Sequence, residues 1–186
     1  MKVGVLALQG DFREHGLVLR DIGALPIEVR TPEQLAEVEA LIIPGGESTT
    51  MAKLARAHEL VDPIRSRAGA GMPVMGTCAG MIVMASEVDG GAPLFSLMDL
   101  SVKRNAYGRQ VDSFEADVDV EGIDEPVRAV FIRAPWVDRV GPGVRVLARY
   151  GGHPVVLEQG HLLAAAFHPE LVGETRLHDY FLSKVS

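Results

Sequence analysis

The feature that most constrains the fold is an alternation in the N-terminal half, where each short aliphatic run is followed by an amphipathic stretch. Strands joined through a helix need a crossover rather than a hairpin, so they lie parallel in one sheet. Lys2 to Leu8 reads as a buried strand, and Phe12 to Ile22 as a helix carrying Phe12, His15, Leu19 and Ile22 on one face until Gly23 stops it. Pro26 to Arg30 is a second strand, Thr31 caps a helix with Pro32 at its first position, and Ala40 to Pro44 is a third strand. Beyond Gly45-Gly46-Glu47-Ser48 one helix is expected from Thr49 to Arg67. Pro73 to Thr77 then makes a fourth strand that runs into Cys78 and a helix over Ala79 to Ser86.

The C-terminal half changes character. Strand-like segments at Leu100 to Arg104, Ser113 to Val120, Val127 to Arg133, Val144 to Tyr150, Pro154 to Glu158 and Leu162 to Phe167 lie too close together for intervening helices. Several of them are therefore expected to pair antiparallel, with Glu174 to Lys184 as a closing helix. The predicted class is α/β, a mainly parallel open sheet flanked by helices with an antiparallel extension. No repeat, biased tract or Gly/Ser/Pro-rich linker divides the chain, so residues 1–186 are expected to form a single domain.

Composition narrows the function classes. The 18 Lys and Arg against 25 Asp and Glu give a net charge of −7, with no basic run, so a nucleic-acid partner is not expected. No apolar stretch approaches the roughly 18 residues of a membrane span. The apolar N-terminus stops at Gln9 and meets Asp11, unlike a secretory signal. The single cysteine permits no internal disulfide, which suits a reducing, cytoplasmic setting.

That cysteine stands in Gly76-Thr77-Cys78-Ala79-Gly80, a G-x-nucleophile-x-G elbow at a strand-to-helix junction, where glycines permit a sharp turn. The turn is expected to lift the thiol out of the sheet to the N-terminus of a helix, where the dipole favours thiolate. A lone cysteine is otherwise a small buried hydrophobe; the flanking glycines favour the nucleophile. Of the six histidines, His58, His153, His161 and His178 have no informative neighbours, and His15 reads as a helix packing residue, with a secondary role left open by its nearness to the first strand. No pair has metal-ligand spacing and there is no second cysteine, so no metal is expected. His168 differs: it ends an apolar strand and precedes Pro169, which disfavours helical backbone. An extended segment would point His168 and Glu170 to one side, the carboxylate orienting the imidazole as the base for Cys78. Pro44-Gly45-Gly46-Glu47-Ser48 ends another strand, and the backbone N–H groups of Gly46 and Ala79 are candidate oxyanion donors. A Gly-Gly turn before a helix is equally compatible with a phosphate, though no P-loop Gly-Lys-Ser/Thr follows.

Six blocks together resemble the glutaminase subunits of pyridoxal 5′-phosphate synthases, within the class I glutamine amidotransferase superfamily. They are Leu6 to His15, Pro44 to Thr50, Gly76 to Ile82, Arg104 to Glu115, Phe131 to Pro135 and Phe167 to Leu171, which span nearly the whole chain. The cysteine elbow and His-Pro-Glu are shared across the superfamily. The Leu-Gln-Gly-Asp-Phe opening and Arg104-Asn105-Ala106-Tyr107-Gly108-Arg109-Gln110 point to the vitamin B6 branch. The resemblance implies a class I amidotransferase-like, flavodoxin-like fold and hydrolysis of L-glutamine to glutamate and ammonia without a cofactor. It also implies transfer of the ammonia to a synthase subunit that activates the glutaminase. Cys78, His168 and Glu170 then form the triad, and Gly46, Glu47, Ser48, Arg104, Ile132 and Arg133 bind glutamine. Gln9, Gly10 and Asp11, ending the first strand on the edge that bears Cys78, are expected in the surface that senses docking. Gln9, Arg109 and Gln110 serve either that interface or the oxyanion loop. Two other readings stay open: a glutaminase feeding a different synthase, and a thiol sensor on the same scaffold that lacks a true triad.

Overall fold

Four strands of this chain are buried on both faces for all or nearly all of their length, and such strands belong in the middle of a parallel sheet covered by helices on either side. In the computed structural model, which describes residues 1–104 and 113–185, these are β1 (Lys2–Leu6), β3 (Ala40–Ile43), β4 (Val74–Thr77) and β12 (Leu162–Ala165). With β2 (Leu25–Val29), β10 (Arg145–Tyr150) and β11 (His153–Gln159) they build a seven-stranded sheet in the order β10-β11-β12-β4-β3-β1-β2. The pairs from β12 through β4, β3 and β1 to β2 are parallel. Those from β12 to β11 and β10 are antiparallel, the expected extension. Two small sheets lie apart, β5 (Ala85–Val88), β6 (Met98–Lys103) and β9 (Trp136–Val140) in one, β7 (Phe114–Val118) and β8 (Val127–Phe131) in the other.

Six α-helices are described: α1 (Phe12–Asp21), α2 (Pro32–Ala36), α3 (Ser48–Ala57), α4 (Val61–Gly69), α5 (Ala79–Met84) and α6 (Arg176–Leu182). The start of α2 follows its sequence signature, since Thr31 Oγ1 accepts from Gln34 N and the Gln34 side chain returns to the Thr31 N–H. The single helix expected from Thr49 to Arg67 is two. Glu59 takes a left-handed φ of 55° while Leu60 N–H donates to Ala55 O, closing α3, and Pro63 sits in the first turn of α4, where its missing N–H costs nothing. The helix expected to reach Ser86 ends at Met84, because Ala85 turns extended to pair with Met98 as β5. Strand β9 was not anticipated; Asp138 and Arg139 break its apolar pattern, and it forms by pairing with β6.

The core is one contiguous cluster in which the central strands meet α1, α3, α5 and α6. Because β1, β3, β4 and β12 run parallel, the segments leaving their C-terminal ends gather on one edge: Gln9 to Asp11, Pro44 to Ser48, Cys78 and His168. That edge is where open α/β sheets hold ligands. Asn105 to Asp112 of the branch-specific block, with Arg109 and Gln110, lie outside the described residues. No described helix is long and apolar enough to cross a membrane.

Candidate active site

Cys78 caps α5 with φ 49° and ψ −106°, a conformation that a non-glycine residue holds only when its surroundings impose it. The imposing contacts are close packing of backbone on backbone. A Cβ on Gly80 would stand 2.0 Å from Ile43 O, and one on Gly76 would stand 2.6 Å from Gly80 C, so neither position admits a side chain. The Cys78 N–H donates to Ala165 O at 2.8 Å, extending the β4–β12 ladder one step past the strand. Contrary to the expectation of a thiol lifted clear, Cys78 is only 7% exposed. It lies in a cavity of about 520 Å³, within the size range of small-molecule sites, together with Gly46, Ser48, Arg104, Arg133 and His168.

His168 is held by its own backbone, whose N–H donates to Val130 O at 2.8 Å. The extended stretch expected to reach Glu170 stops there. Pro169 is helical (φ −70°, ψ −30°) and Glu170–Val172 form a 3₁₀ turn. The carboxylate reaches back across that turn, so Glu170 Oε1 accepts from His168 Nδ1 at 2.7 Å even though the geometry is not that of a strand. A second carboxylate faces the same nitrogen, Asp11 Oδ2 at 3.2 Å. Burial alone would lower the His168 pKa, but hydrogen bonds with Asp11, Cys78 and Glu170 override it and raise the imidazole well above its usual range. Burial raises the Glu170 carboxyl above its usual range, with His168 opposing. The ligand atoms of Asp11, His168 and Glu170 lie within 4.8 Å of one another, a set that would also fit a cation.

The loop after β3 packs against the loop after β1. Asp11 N–H donates to Gly45 O at 3.2 Å, and Gln9 Oε1 accepts from Glu47 N–H at 3.0 Å. Gly10 has a φ of 83°, and a Cβ there would stand 1.8 Å from Gly45 O. The Glu47 carboxylate caps α3, accepting from Thr49 N at 2.9 Å and Thr50 N at 2.7 Å; the Thr50 hydroxyl and these amides hold its pKa down at about 2. What Glu47 offers a ligand is therefore its backbone. Arg104 is half-buried at the cavity wall, donating to Thr49 Oγ1 at 3.3 Å and Gly90 O at 3.1 Å. Ile132 O lies 3.9 Å from Cys78 Sγ, and Arg133 is exposed beside it with a left-handed φ of 43°.

A nucleophile, an imidazole and a carboxylate in series at a strand-edge cavity are the parts of a thiol amidase. The model of the SNO glutamine amidotransferase family matches residues 5–186. The chain belongs to that family. It is 56% identical over its whole length to the pyridoxal 5′-phosphate synthase subunit PdxT of Mycolicibacterium vanbaalenii, covering 98% of that protein. It is 58% identical to the subunit of the same name from Pelotomaculum thermopropionicum, over 99% of this chain and 95% of that protein. A solved glutamine amidotransferase superposes with a TM-score of 0.94 at 51% identity, covering 98% of each chain. A structure of PurLQS from Thermotoga maritima, at 19% identity and a TM-score of 0.74 over 100% of this chain and 98% of that one, shares the fold.

Within this glutamine amidotransferase the triad candidates meet and the glutamine-site candidates Gly46, Glu47, Ser48, Arg104, Ile132 and Arg133 all line the same cavity, whereas Gln9 and Gly10, expected on the docking surface, stand behind the loop. Asp11 was expected on a docking surface and is found at His168 as well. Nothing local signals that contact, because the two residues come from opposite ends of the chain and meet only when β1 and β12 enter one sheet. His15 is the other residue the sequence understates, as it lies wholly buried behind the triad.

Proposed function

We propose that this amidotransferase hydrolyses L-glutamine with Cys78 as nucleophile, His168 as acid and base, and Glu170 as orienter. Cys78 Sγ, its proton already held by the raised His168 imidazole, bonds to the side-chain carbonyl carbon, and the tetrahedral oxyanion is met by the Gly46 and Ala79 N–H groups. When the C–N bond breaks, His168 returns the proton to departing ammonia. It then takes a proton from water, whose oxygen attacks the thioester to release glutamate and restore the thiolate. Arg104 and Arg133 hold the α-carboxylate, while Ile132 O and the Gly46-Glu47-Ser48 backbone receive the polar groups of the substrate. The observation that carries this reading is the His168 Nδ1 to Glu170 Oε1 hydrogen bond of 2.7 Å beside Cys78 in one cavity. A sensor cysteine has no need of an oriented base.

The two PdxT proteins named above are subunits of pyridoxal 5′-phosphate synthase, and we assign this chain the same place, as one glutaminase domain in the cytoplasm supplying ammonia to a synthase subunit. Gln9, Gly10 and Asp11 support a docking role by touching the oxyanion loop directly. A partner pressing on them can set the Gly45–Gly46 peptide, which glycine lets turn at little steric cost. Glutamate release is measured at saturating glutamine for the chain alone and with the synthase subunit. Release that rises several-fold on addition of the partner is expected. No glutamate in either mixture refutes the glutaminase assignment, and equal rates refute the gating.

A further inference from the structure

Behind the triad lies a polar cluster that the reaction above does not use. His15 on α1 and His178 on α6 are both 0% exposed, as is Thr77, the residue before the nucleophile. His15 Nδ1 lies 2.9 Å from His178 Nε2, and His15 Nε2 lies 3.0 Å from Thr77 Oγ1. The same Nε2 is 3.5 Å from Glu170 Oε2, the carboxylate oxygen that does not touch His168. That oxygen has no hydrogen-bond partner among the described residues, and neither has His178 Nδ1. An unpaired carboxylate oxygen in the interior is costly, so the group nearest it matters.

We propose that His15 is a positioning residue for the triad: its Nε2–H steadies the far oxygen of Glu170, and His178 fixes the tautomer that presents that N–H. The inference rests on the glutaminase reading and deepens it. The direction of the chain of bonds follows from charge. A lone pair on His15 Nε2 would repel the carboxylate, so the proton sits on Nε2 and Nδ1 is an acceptor. His178 Nε2–H must then donate to it. Both rings stay neutral: burial, then the neighbouring His178 and His168, hold His15 well below the ordinary imidazole pKa, and burial lowers His178 to about 4. Because His15 also bonds Thr77, one ring braces the elbow of the nucleophile and the orienter of the base.

The test compares two polar variants of similar size in the complex with the synthase subunit, reading glutamate release. His15→Gln places an amide N–H where Nε2 sits, whereas His15→Asn places its amide where Nδ1 sits and leaves Glu170 Oε2 unattended. The expected kcat loss is about tenfold for His15→Asn and about twofold or less for His15→Gln. The KM for glutamine should stay unchanged in both, since His15 is walled off from the cavity. In a Glu170→Gln background His15→Asn should add nothing, because its effect runs through that carboxylate. Equal losses in the two variants, a changed KM, or a full additional loss beyond Glu170→Gln would overturn the proposal. A wild-type complex that releases no glutamate would refute instead the activity on which it rests.

Discussion

At the scale of single residues, the proposed mechanism divides the site into groups that react and groups that hold them. Replacing Cys78 by Ala removes the bond-forming atom but keeps the Cβ at φ 49°, so the fold should survive while glutamate release falls by at least about a thousandfold. His168→Asn should be comparably severe and Glu170→Gln milder. Asp11→Asn should be milder still, since its oxygen stands 3.2 Å from His168 Nδ1 against 2.7 Å for Glu170. Steady-state rates with circular dichroism on each variant check this order, and an Asp11 variant worse than the Glu170 variant would exchange the two roles. Arg104→Ala should raise KM by about tenfold with kcat little changed, because a guanidinium on the substrate carboxylate serves ground and transition states alike. A fall in kcat at constant KM would place Arg104 with the oxyanion loop. That Cys78 and His168 share a site was legible because glycines flank Cys78 and Pro169 follows His168. Asp11 and His15 carry no such cue, and their partners are set by the sheet order alone.

At the scale of elements, α5 is packed against β3 with no side chain between them, since the space beside Gly80 is filled by Ile43 O. Gly80→Ala should therefore cost about 3 kcal/mol or more, measured as a lowered urea midpoint at constant slope, because backbone rather than a flexible side chain must yield. A loss below about 1 kcal/mol would mean that α5 can slide and that the elbow is looser than described. The buried strands and the capped start of α2 were legible, as aliphatic runs and a Thr-Pro signature suffice. The break between α3 and α4 was not, because a glutamate in the left-handed region has no sequence cue. Strand β9 was equally silent, owing its pairing to β6 rather than to its own pattern.

At the scale of the whole molecule, the buried ionisable groups set how stability varies with pH. His15 and His178 have folded pKa values below the unfolded value, so the stability they contribute is present above about pH 6.5 and is lost on acidification, for His178 down to about 4. Glu170, raised by burial, takes up its proton before the unfolded chain does and so opposes the histidines. His168, raised, acts in the other sense: its contribution is complete below about 6.5 and fades as pH climbs toward its folded value. Urea midpoints should accordingly peak near neutrality and fall between pH 6.5 and 5; a flat profile there would mean that the two histidines are hydrated. A different consequence follows from the Cys78 N–H bonded to Ala165 O. The β4–β12 ladder places Cys78, and the His168 N–H bond to Val130 O places the imidazole, so the spacing of Cys78 and His168 does not depend on the far edge of the sheet. The Gly151–Gly152 turn at the far edge, left-handed at both residues between β10 and β11, is a place to open the chain for circular permutation or to graft a tether. A single residue added at Ala166 or Phe167 would swing the base out of reach of its thiol.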